Sequence, residues 1–267
     1  MQVLAAGNQA DVFNKVLEHL SPHKYGWAPE WKVGPIDLSF TNAVLNIVLA
    51  SALVIILFRV AAKRRALVPK GVQNLVEVGM DWVKDNLVYT VMSPEDGRTW
   101  GPFIATIFFF ILFMNAIGLI PLIGFTPTSN IYLTAALAFM VYLLAVVLGM
   151  VKHGPLKFWK KTLVPDGVPA WLLPLMVLLI EPISQIARPF SLAVRLFANM
   201  LADHLLLLIF AGFIFISSGV LTFIVLPFSV AFMIVFTAFA LFVAFIQAVV
   251  FAYLSAIYIN DALHPGH

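Results

Sequence analysis

The chain has 267 residues, 62% of them hydrophobic and 11% charged, where an ordinary soluble domain carries about 25% charged residues. Its mean hydropathy of +0.99 demands lipid rather than water as solvent. The lack of cysteine excludes disulfides and thiolate metal sites, and a net charge of +3 is too small to suggest a nucleic-acid partner.

The first 38 residues are polar and mixed in charge. They contain no apolar core of the signal-peptide kind, so no cleaved leader is expected. They read as an N-terminal extracytoplasmic segment, and residues 39–267 as a single membrane domain. The first span covers about 40–60. Asp37 precedes it, and Arg59, Lys63, Arg64, Arg65 and Lys70 follow it. That basic cluster predicts a cytoplasmic loop and an external N-terminus.

Residues 71–90 change pattern. Val72, Leu75, Val76, Met80, Val83 and Leu87 recur at helical spacing, and Gln73, Asn74, Glu77, Asp81, Lys84 and Asp85 fill the other side. The segment predicts an amphipathic helix, either on the cytoplasmic membrane surface or packed on protein. Uncharged runs predict a second span at about 101–125 and a third at about 129–151, joined by a turn at Pro127 into a hairpin. Lys152, His153, Lys157, Lys160 and Lys161 then mark a second cytoplasmic loop, which Gly154, Pro155, Pro165, Gly167 and Pro169 make irregular.

Residues 205–260 carry no charge. As one helix they would be about 84 Å long, so the chain must turn back, best at Ser217–Gly219 with Pro227 shortly after. Two long tilted membrane helices are therefore expected at about 171–217 and 220–260. The predicted fold class is an all-α polytopic membrane protein.

The segment from Glu181 to His204 holds the chemistry. With about 100° per residue and Arg195 at 0°, Ser191, Ser184, Arg188, Glu181 and Asn199 all fall within about 40° of it. Asp203 sits at the edge of this stripe, near 80°, and His204 points the opposite way. The stripe runs about 33 Å. Charges at membrane depth cost about 2.5–3.5 kcal/mol or more each, so they need partners or water. Glu181 and Arg188 can pair as a plain structural link. Arg195 has no acid three or four residues away, so its partner must come from another helix or another chain. His204 is by itself an ordinary core histidine, but Asp203 beside it makes a proton relay reasonable. Pro189 disturbs ideal helicity without destroying the stripe. In the last helix, Gln247 needs a hydrogen-bond partner. Ala240, Ala244 and Ala248 form a small-residue ridge that permits close helix approach. No metal-ligand spacing, phosphate loop or nucleophile elbow occurs, so no cofactor is expected, nor catalysis by this chain alone.

The stretches RPFSLAVRLFANMLADHLLLLIFAG, IQAVVFAYLSAIYINDA, FILFMNAIGLIP and PTSNIYLTAAL together resemble subunit a of F-type ATP synthases, in the right order and over nearly the whole chain after residue 40. The resemblance implies a stator channel subunit of the membrane sector, with a ring of c subunits, peripheral-stalk b subunits and the rest of the complex as partners, in an energy-transducing bilayer such as a bacterial plasma membrane. It implies that Arg195 is the arginine that meets the ring carboxylate, with Gln247 near it. Asn199, Glu181 and His204 match the family's other polar positions. The chain departs from the family at Ala240, where many members carry histidine or glutamate, so the relay is expected to rest on His204, Asp203 or water. A secondary transporter or self-contained channel is the rival. It would show internal repeats and helices broken by Gly or Pro, and none is apparent. A mere assembly scaffold leaves Arg195 unexplained.

Overall fold

A computed structural model describes residues 32–33, 36–37, 41–63, 70–120, 127–164, 173–217 and 219–265. The external segment expected for residues 1–38 falls almost wholly outside these residues. So do Arg64 and Arg65 of the first basic cluster, and Pro165, Gly167 and Pro169 of the second loop. Near the start, β1 (Lys32–Val33) and β2 (Ile36–Asp37) form a two-residue antiparallel pair, the one departure from helix among the described elements.

The chain is an all-α polytopic membrane protein, and among the described residues five helices are long and apolar enough to cross a bilayer. Helix α1 (Asn42–Lys63) starts where the Thr41 hydroxyl accepts the Val44 N–H at 3.5 Å. It buries only the seam of Asn46, Ala50 and Val54. Helix α2 (Val72–Val83) runs into a π-helical turn, Lys84–Val88. Its apolar residues split into two sectors. Val76, Val83 and Leu87 are buried, while Leu75, Val78 and Trp82 are exposed about a quarter-turn or more away. The helix thus has one apolar side for protein and another for lipid, with Glu77, Asp81 and Asp85 between them on the far side.

Helix α3 (Pro94–Gly118) begins seven residues before the uncharged run does. Ser93 caps it: its hydroxyl accepts the Asp96 N–H at 3.3 Å and donates to the Asp96 carboxylate at 2.9 Å. Pro94 occupies the first turn, where no N–H is missed. A span-length window of α3 is 61% buried, against 11–22% for the other four. It is therefore the core element, and the others turn most of their apolar surface outward. Helix α4 (Ile131–His153) buries a narrow seam of Thr134, Ala138, Val141, Ala145 and Gly149. Gly154, at φ 82°, turns the chain into α5 (Pro155–Leu163), whose Phe158 ring fills the space left by the missing side chain of Gly149.

A short turn, Leu173–Leu175, and a π-helical turn, Met176–Ile180, lead into α6 (Glu181–Ile216). Helix α7 (Val220–Leu263) follows. The break falls at Ser217–Gly219, with Gly219 at φ 65°, a region that glycine enters without strain. Pro227 lies inside α7 rather than marking the break, and Pro189 lies inside α6. Helices of 36 and 44 residues are about 54 and 66 Å long. A hydrocarbon core of about 30 Å accommodates them only tilted or bent.

The helices pack into two compact units. Of the described residues, one holds those up to Leu53 and those within Leu112–Asn130 and Ala198–Ile246. The other holds Val54–Ile111, Ile131–Phe197 and Gln247–His267. The first has a core of Leu119, Met200, Ala240 and Ala244. In the second, Phe109 of α3 packs edge-on against Phe58 and beneath Gly79, and Phe108 stacks at a tilt on Trp82.

Candidate functional site

Burial sorts α6 by direction. Leu192, Leu196 and Met200 are fully buried, with Ala193, Asp203 and His204 nearly so. These residues occupy the sector from about 60° to 180° relative to Arg195. Ser191 and Arg195 lie outside that sector and are exposed; Glu181, Ser184, Arg188 and Asn199 are half-buried. The polar stripe is therefore the border of the packed face. Asp203 and His204 belong to the packed face itself, away from Arg195.

In the second unit, Arg188 Nη1 donates to Asp261 Oδ2 at 3.0 Å. Pairing with Glu181, the link that sequence spacing suggests, is not what forms: Asp261 of α7 reaches the guanidinium instead. The Tyr258 hydroxyl donates to the Arg188 carbonyl at 3.3 Å, and its ring centre lies 5.8 Å from the guanidinium carbon. The Tyr142 hydroxyl of α4 donates to Gln185 Oε1 at 3.3 Å. Two histidines fasten the end of α7. His264 Nε2 donates to Asp96 Oδ2 at 2.7 Å, and His153 Nε2 donates to the Leu263 carbonyl at 2.9 Å. Around these contacts lies a cavity of about 370 Å³, lined on its polar side by Glu181, Gln185, Arg188, Lys161, Asp261 and His264. A cavity of this volume has room for many waters.

Arg195 does not line this cavity, although Tyr258 lies within electrostatic reach of both arginines. Among the described residues Arg195 makes no ion pair. Gln247 is buried on a face of α7 that repeats as Ala240, Ala244, Ala248, Ala252 and Ala256. In the first unit, Asp203 keeps one buried carboxylate oxygen without a hydrogen-bond partner among the described residues. Of the predicted site residues, Glu181 alone lines the cavity. Sequence reasoning passed over Tyr142, Gln185, Tyr258, Asp261 and His264. The available signal was Asp261, the first charge after the long uncharged run.

The fold and these polar groups define a multi-pass membrane protein with an ionisable stripe on a long membrane helix and a polar-lined cavity beside it. The family model for the ATP synthase A chain matches residues 44–260. The chain is 43% identical to the ATP synthase subunit a of Pelagibacter ubique over 91% of its own length and 96% of the relative's. It is 44% identical to that of Chelativorans sp. over 88% and 93%, and 41% identical to that of Beijerinckia indica over 86% and 90%. The chain belongs to the ATP synthase A chain family.

Proposed function

We propose that the chain translocates protons in the membrane sector of an ATP synthase, through two offset half-channels, past a rotating ring of c subunits. One observation carries the reading: Arg195 is an exposed cation within a membrane helix, without an ion pair among the described residues. An intramembrane arginine requires a partner, and here that partner is a carboxylate on another chain.

The guanidinium stays protonated at any physiological pH. It repels protons and blocks direct leakage between the half-channels. It also stabilises the ionised form of an approaching rotor carboxylate, which releases its proton to one side and takes up another after the ring has turned. The membrane potential contributes about 2.3 kcal/mol per charge per 100 mV. Gln247 and Asn199 act near Arg195. Glu181 belongs to the inner half-channel, for which the polar cavity supplies the water. His204, with Asp203, serves the outer half-channel. The chain does no catalysis alone; the b subunits of the peripheral stalk hold it against rotation. The membrane is a bacterial plasma membrane.

In inverted vesicles containing the assembled complex, Arg195→Ala is expected to abolish ATP-driven acidification while the subunit remains present by blot. Normal pumping by the variant would overturn the function. Arg195→Lys should also fail, because an ammonium can lose its proton in a dry site. Orientation has its own test, made simple by the absence of native cysteine. With the basic loops inside, a cysteine at Leu156 should react only with reagent on the cytoplasmic side, and one at Val220 only from outside. The reverse pattern would exchange the two half-channels.

A further inference from the structure

The two arginines of α6 are handled differently. Arg188 is paired with Asp261 and held by Tyr258, one turn earlier on α7. Arg195, two turns further along α6, is exposed and makes no ion pair among the described residues. The Arg188 and Asp261 side chains are 33% and 45% exposed, and a pair in such a setting contributes little to stability. Its consequence is electrostatic. The pair lines the polar cavity together with Glu181, Lys161 and His264, about 10.5 Å along the helix from Arg195. With Asp261 neutral, the cavity would hold a second uncompensated cation on the same stripe as Arg195. That cation would repel protons from the cavity water. It would also hold a rotor carboxylate ionised at a point where it should be exchanging its proton.

We propose that Asp261 is a charge-compensating positioning residue. It neutralises Arg188, so that Arg195 alone presents net positive charge to the passing carboxylate. The inference rests on the proton-translocating function proposed above.

The test is passive proton flux through inverted vesicles holding the assembled complex, normalised to subunit amount by blot. Asp261→Asn keeps a hydrogen-bond acceptor for Arg188 and removes only the charge. Flux should fall about tenfold, the effect of one unit charge at that separation and an effective dielectric constant of about 20. Asp261→Glu should retain most of the flux. The double variant Arg188→Gln/Asp261→Asn should recover to within about threefold of wild type, because neutralising both partners removes the stray charge. Wild-type flux in Asp261→Asn would overturn the proposal. So would a double variant no better than Asp261→Asn, or loss of the subunit in both, since either outcome makes the pair a structural clip. Arg195→Ala is read separately, by ATP-driven acidification in the same vesicles: if it pumps normally, the function itself falls; if it does not pump while Asp261→Asn keeps wild-type flux, only the compensation falls.

Discussion

The turns of α6 around Arg188 and those around Asp203 belong to one helix and handle polarity in opposite ways. Near Arg188, charged groups find protein partners from distant elements around a polar cavity, through Asp261, Tyr258 and the Tyr142–Gln185 contact. Near Asp203, Met200 of the preceding turn belongs to an apolar cluster with Ala240, Ala244 and Leu119. One Asp203 oxygen is left without a hydrogen-bond partner among the described residues. A partnered charge can be permanent. A buried acid lacking a partner is costly unless water or a proton supplies one. The proposed function uses the first region as a fixed field and the second for proton uptake and release.

The largest effect that separates the two regions is expected at His204. His204→Ala should slow proton flux about tenfold or more, measured in vesicles containing the complex, and Asp203→Asn should slow it less. The opposite ranking would move the relay to Asp203. Residue types alone suggest that Ala240→Glu should partly restore the flux lost with the histidine. The packing opposes this, because Ala240 is buried against Leu119, Met200 and Ala244. Only partial recovery is expected, with a lower yield of subunit. A smaller effect should follow from widening the ridge without touching any ionisable group. Ala244→Leu overfills a fully buried position and should cost about 1–3 kcal/mol, seen as a lower thermal midpoint of the purified complex. An unchanged midpoint would mean that the ridge is not closely packed.

Much of the fold was legible because a membrane span needs little more than length and apolarity. The turn at Ser217–Gly219 was legible because no single helix could hold the uncharged run. The start of α3 was hidden: Glu95, Asp96 and Arg98 look like loop residues, and only the Ser93 cap reveals two helical turns outside the apolar run. Pro227 looked like part of the break, yet α7 continues through it at the loss of one backbone hydrogen bond. In the site, periodicity alone aligned Glu181, Arg188, Arg195 and Asn199 and turned His204 away. The partner of Arg188 was not legible. Asp261 lies 73 residues further on, and helical spacing reports only neighbours on the same helix. The histidine clasps, His264 with Asp96 and His153 with Leu263, are equally non-local.

The central claim is that the exposed, arginine-bearing side of α6 meets the rotor. It is tested most directly by a photoreactive residue at Ser191, which is exposed and lies within about 40° of Arg195 on the helix, compared with one at the buried Ala193. Irradiation of native membranes is expected to join position 191 to a small hairpin protein carrying an intramembrane carboxylate. Position 193 should yield only crosslinks within the same chain. Capture of that protein from position 193 and not from 191 would contradict the assignment of the rotor-facing side and, with it, the role of Arg195.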